Sequence, residues 1–419
     1  MIPSARKLRL GAIAIFALVA YTILIVANLL PSHAATAAPT YGQILVAGGS
    51  GISGTLSSIE LYAPGMNSFA APPTAMNAAR QFHTAAVIPS GPNAGKVLLA
   101  GGLGSNATLA STELYDPAAN TFAVGPEMHA PRDHHTATVI SSGPNAGKIL
   151  LAGGEDRDNG VVSLASTELY DPASNKFAVG PTMNASRYAH TATIIASGPN
   201  AGKILLAGGF NTGDGPLIST ELYDPAANKF AVGPTINAAR FGHTATSIAS
   251  GPNAGKILLA GGFDSNDSLA STEIYNPATN KFAVGPTLNA ARRFHTATVI
   301  ASGPNAGKIL LAGGLNNKGP LLSTELYDPA ANKFVVGPDM KVARDHHTAT
   351  AIVSGPNAGK VLLVGGDDII NDTKLASTEL YDPAVNKFVV GHPMDIARAF
   401  HTAIQLPASS AAVKIAISP

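Results

Sequence analysis

His135-Thr-Ala-Thr-Val-Ile140, Lys148-Ile-Leu-Leu-Ala152, Ser166-Thr-Glu-Leu-Tyr170 and Lys176-Phe-Ala-Val179 follow one another as four short apolar or alternating runs. Each has the length of a strand and is rich in β-branched or aromatic residues. Ser142-Gly-Pro-Asn-Ala-Gly147 separates the first two and Asp171-Pro-Ala-Ser-Asn175 the last two, both with turn chemistry. Four strands joined by short turns predict a four-stranded antiparallel sheet. No run carries a helical period long enough for a crossover helix.

Outward from this unit, the pattern repeats. A Gly-Gly pair after an apolar run begins at residues 48, 101, 153, 208, 261, 313 and 365. A Tyr follows in each unit, preceded by Glu-Leu or Glu-Ile, and a Phe lies seven residues after it, as in Tyr223 and Phe230. Arg-x-x-His-Thr then closes every unit. A period of 52 to 55 residues means an array, a solenoid or a propeller. Seven four-stranded sheets in series predict an all-β, seven-bladed β-propeller. The chain is out of phase at its ends: Gln43-Ile-Leu-Val-Ala47 is a second strand without a first, and His401-Thr-Ala-Ile-Gln-Leu406 a first strand without a second. Pairing the two completes the seventh sheet and closes the ring, which removes the open edges of an unclosed array.

The apolar run, Gly-Gly, variable loop, Tyr and distal aromatic resemble the kelch repeat, as found in exported bacterial kelch proteins and in the central domain of galactose oxidases. The resemblance covers residues 42–407, in seven copies. That family usually has Trp at the position where Phe stands here in every copy. The resemblance implies a binding or scaffold module, with a carbohydrate-active enzyme of the mutarotase or epimerase kind as the alternative. Copper-radical oxidases of this family need a Tyr cross-linked to Cys, and this chain has no Cys.

Among 419 residues, 46% are hydrophobic, 13% are charged and the net charge is +1. Disorder does not fit such a composition. The absence of Cys excludes disulfides, thiolate zinc sites and cysteine nucleophiles. Setting Arg6, Lys7 and Arg9 aside leaves 24 basic residues against 26 acidic ones, which argues against a nucleic-acid partner. Residues 11–30 are uncharged and long enough to cross a bilayer as a helix. The basic cluster before them and the small residues Ser32 and Ala34 after them predict export. Residues 1–34 then act as a signal peptide cleaved after Ala34 or as an uncleaved membrane anchor, with a buried core helix as the plain alternative. Residues 35–41 read as a linker and 408–419 as a tail outside the repeat.

Length varies mainly between Gly-Gly and Tyr, in the loop from second to third strand. Specificity usually lives in such loops on a rigid scaffold. Their acids Glu155, Asp156, Asp158, Asp214, Asp264, Asp267, Asp367, Asp368 and Asp372 form a candidate site for a protein or glycan ligand, against the reading of solvated turns. The repeated Arg80, Arg132, Arg187, Arg240, Arg292, Arg344 and Arg398 admit two roles. They can ring the channel mouth and hold an anion. They can also pair with the Glu present once in every unit, and presence in every copy fits this scaffold role better. Asp133-His134-His135 and Asp345-His346-His347 recur in two units that a seven-membered ring places nearly opposite, which argues against one shared ion. No catalytic residue, metal or cofactor emerges. Gly91-Pro-Asn-Ala-Gly95-Lys96 and its copies mimic a phosphate loop, but the spacing between glycines is one residue short and Val or Ile follows the Lys.

Overall fold

The computed structural model describes residues 42–72, 74–158, 160–368 and 373–407. The expected export segment, the linker, Asp372 and the tail from residue 408 lie outside the described residues.

Seven four-stranded antiparallel sheets form the described chain. In the third blade the order from the axis outward is Thr136–Val139, Ile149–Ala152, Thr167–Asp171 and Lys176–Val179. The first blade joins the two chain ends: Thr402–Gln405 pairs with Ile44–Ala47, in the register Ile44 with Gln405 and Ala47 with Thr402. The seven inner strands touch in a closed cycle, so the ring has no open inner seam.

Burial explains the composition of each strand. The second strand is covered by neighbouring sheets on both faces, so Ile149-Leu-Leu-Ala152 is apolar throughout and wholly buried. The fourth is the outer edge, where Val124, Val179 and Val232 stand about 70% exposed. A Lys opens that strand in five blades, as at Lys176, and charge at an edge discourages pairing with other chains. Each Tyr is 0% exposed and lies 5.0–5.4 Å, centroid to centroid, from the Phe seven residues on. These pairs fill the gap between sheets: Tyr170 and Phe177 of the third blade pack on Ile88, Leu98 and Leu114 of the second. The Tyr hydroxyl donates to the Asn five residues later, as Tyr223 does to Asn228 at 2.9 Å. That Asn holds a positive φ in the turn between strands.

The doubled glycine has a steric cause. Gly101 and Gly102 have φ of 61° and 98°, and a Cβ on either would lie 2.4 Å or 2.6 Å from the carbonyl oxygen of Arg132 or Gln81. Only glycine lets the crossing segments of two blades meet there.

The crossing from each blade to the next is held by the repeated Arg and Glu. Arg80 is 0% exposed and donates to the Gly101 and Ser111 carbonyls at 2.7 and 3.1 Å and to Glu113 at 2.9 Å. Glu113 in turn accepts the backbone N–H groups of Asn77 and Ala78. The same ion pair recurs in all seven blades at 2.9–3.2 Å.

Candidate functional site

The Arg-x-x-His segments build the axial mouth in layers. At its base, each His takes a Thr of the preceding inner strand, Nε2 to Oγ1 at 2.9–3.1 Å, and the seven bonds close a circle. These histidines are 5–6% exposed. Burial, and then the charge of the neighbouring Arg, holds them well below the usual imidazole range, at about 3 for His190 and His401. They are neutral structural groups.

Above them sit the third residues of the motif: Phe82, His134, Ala189, Gly242, Phe294, His346 and Phe400. All seven have φ between 47° and 61°. Each backbone N–H donates to the carbonyl of its counterpart in the preceding blade, and these seven bonds, 2.8–3.2 Å long, also close a circle. Six non-glycine residues in the left-handed region represent about 1–2 kcal/mol of strain apiece, which the hydrogen-bonded ring offsets. The two circles line a funnel of about 340 Å³.

The funnel is chemically uneven. Phe294, His346, Phe400, Phe82 and His134 form an arc of rings with successive centroids 3.9–4.5 Å apart. Ala189 and Gly242 leave the remaining side without large side chains. Next to this gap the second motif residues pair with the residue after Gly-Gly, Tyr188 with Phe210 and Phe241 with Phe263. Their half-exposed rings run in series, with centroids 5.4, 5.2 and 5.6 Å apart. The Arg293 guanidinium lies 4.1 Å over the end of this strip, on Phe263.

Acid clusters flank the strip in two blades. Asp133 and Glu155 face each other across a β-bridge, and with His134 each offers a polar atom within 4.8 Å of the others. The Arg157 guanidinium fills this cluster, donating to Asp133 at 3.0 Å and to Glu155. His134 donates from Nδ1 to Asp133 at 2.5 Å. Burial opposes its charge, but Asp133 and Glu155 together outweigh burial and raise its pKa. Burial and the charge of Glu155 push the Tyr188 hydroxyl up to about 12. In the seventh blade Asp345 and Asp367 form the same bridge, and His346 donates to Asp345 at 2.5 Å. Here burial wins and the His346 pKa falls.

Of the acids named from the sequence, Glu155 and Asp367 belong to these clusters. Others hold loops together: Asp158 accepts the Thr108 N–H at 2.8 Å, Asp264 caps its own turn, and Asp267 meets Asn317 of the next loop. Asp156 accepts the N–H of Asp158, Asp214 stands exposed, and Asp368 follows Asp367 in the loop ribbon. The arginines correct one alternative. All seven are fully buried against Glu and carbonyl groups, and the side chains lining the funnel lie two and three positions further on. Sequence reading passed over the aromatic residues of the mouth; their signal is variability between an invariant Arg and an invariant His.

The kelch motif matches residues 242–289. With the repeat in all seven blades, this decides the family. The chain is a kelch-repeat β-propeller. It is 27% identical over 288 residues to Kelch-like protein 23 of Pongo abelii, covering 68% of this chain and 46% of the relative. Kelch-like protein 15 of Homo sapiens is 26% identical over 245 residues, 52% of this kelch chain and 36% of the relative. The chain therefore spans about half or less of the length of these curated relatives. The solved structure of YjhT superimposes with a TM-score of 0.53 at 14% identity, over 74% of this chain and 97% of that one, a likeness of fold. Kelch propellers typically serve as protein-binding scaffolds.

Proposed function

We propose that this kelch propeller is a non-enzymatic binding module that takes a protein or carbohydrate ligand at the mouth on its variable-loop face. One observation carries the reading. Residues that break the sevenfold repeat converge there, whereas the Ser-Gly-Pro-Asn-Ala-Gly turns are alike in six blades and lock each blade to the next, as Asn145 does to Tyr223. A symmetric surface offers little to tell one partner from another. Half-exposed aromatic rings bordered by carboxylates and Arg293 suit a flat apolar or sugar-ring surface with polar groups at its rim. The basic start and the apolar run of residues 11–30 support action outside the cytoplasm, tethered or released.

A peptide and glycan binding screen tests this. Tyr188→Ser with Phe241→Ser should abolish any binding found, and Lys148→Ser with Lys203→Ser should leave it intact. The reverse pattern would place the site on the opposite face. A second reading, as an enzyme, draws on the Asp133–His134 and Asp345–His346 pairs, in which a carboxylate fixes the donor nitrogen and leaves Nε2 as a base. It predicts turnover that is lost in His346→Gln with binding retained.

A further inference from the structure

The third and seventh blades carry the same acid pair with different compensation. In the third, Arg157 donates to both Asp133 and Glu155, and neither carboxylate keeps a buried unpartnered oxygen. In the seventh, Lys374 reaches Asp367 Oδ2 at 2.5 Å and His346 reaches Asp345 Oδ1 at 2.5 Å. Asp345 Oδ2 and Asp367 Oδ1 remain buried without a hydrogen-bond partner among the described residues. The two side chains are only 2% and 9% exposed. Asp345 and Asp367 are a hydrogen-bonded cross-strand pair, their backbones exchanging bonds of 3.2 and 2.8 Å, so both side chains leave the same face of the ribbon. Like charges in that position repel, and buried unsatisfied oxygens call for a donor or an ion.

We propose that Asp345 and Asp367 bind one divalent cation of the hard, oxygen-seeking kind, at the place that the Arg157 guanidinium takes in the third blade. Carboxylate oxygens are the available donors, since His346 Nδ1 is engaged by Asp345 and the chain has no Cys; this set favours Ca²⁺ or Mn²⁺ over zinc. Two carboxylates with water completing the shell correspond to a modest affinity, about 10⁻⁴–10⁻³ M. The ion would draw together the Gly-Gly loop and the crossing segment beside His346 and Phe400, stiffening one rim of the mouth.

The experiment is titration of the full chain with Ca²⁺ and, separately, Mn²⁺, by calorimetry or equilibrium dialysis. One equivalent should bind. Asp345→Asn should remove it with the circular dichroism spectrum unchanged. Lys374→Met, which removes a competing ammonium and no carboxylate, should tighten binding about tenfold, an effect that general unfolding cannot imitate. Asp133→Asn should leave the stoichiometry and affinity unchanged. The proposal is overturned if the full chain binds neither ion at millimolar concentration, if Asp345→Asn and Asp367→Asn still bind it, or if Lys374→Met weakens it.

Discussion

Acidification should unfold this propeller at an unusually high pH, because seven buried histidines must stay neutral in the folded ring. Their folded pKa values lie well below the ordinary 6.5, at about 3 for His190 and His401. The unfolded chain therefore binds more protons than the folded one between these limits, and stability falls as pH drops through that window. Each histidine contributes a slope of up to about 1.4 kcal/mol per pH unit. Seven together remove about 10 kcal/mol by about pH 5.5, against the ~5–15 kcal/mol of a folded domain. His134 acts in the opposite sense, since its pKa is raised: its contribution is complete below 6.5 and is lost as pH rises through its folded value. One such group does not offset seven. Circular dichroism of the full chain from pH 8 to 3 should give a steep cooperative transition with its midpoint between about pH 5 and 6. Replacing one histidine by Gln, as in His295→Gln, should lessen the steepness by about a seventh. A transition only below about pH 4, the range where carboxylates titrate, would refute the histidine account.

Three stability measurements follow from the packing. Glu273→Gln leaves Arg240 buried with a weakened partner and should cost about 3–5 kcal/mol in urea denaturation; a loss under ~1 kcal/mol would mean that the pair does not hold the crossing. Deleting residues 400–419 removes the strand Thr402–Gln405 that pairs with Ile44–Ala47, so the melting temperature should fall and the transition broaden; an unchanged melt would refute closure by this pairing. Tyr223→Ala, at a wholly buried site, should cost about 3–5 kcal/mol, and Phe230→Ala, at a half-buried one, distinctly less.

The periodic part of the fold was legible because every blade solves the same packing problem with the same residues. Gly-Gly, Tyr and Phe repeat where close crossing, a buried hydroxyl partner and the gap between sheets leave no other choice. The phase shift at Gln43 and His401 foretold the closure for a similar reason, since a lone strand at each end needs the other. The mouth was harder to read. Its funnel arises because the third residue of Arg-x-x-His adopts a left-handed backbone whatever its identity, and Phe82, Ala189 and Gly242 alike do so. Ordinary preference would not place Phe there, so nothing in the residue type announces the conformation. The loop acids were visible as charges, but their partners depend on which loops become neighbours. Asp158 meets Thr108 from fifty residues away, and Glu155 meets Asp133 through a bridge between a loop and a crossing.

The binding face itself can be read by hydrogen–deuterium exchange of the chain with and without a ligand recovered from the peptide and glycan screen. Protection should concentrate at residues 186–190, 210–216, 239–243 and 263–269, the segments that carry Tyr188, Phe210, Phe241 and Phe263. Protection confined to the turns at 142–147, 197–202 and 250–255 would contradict the account and move the site to the opposite face.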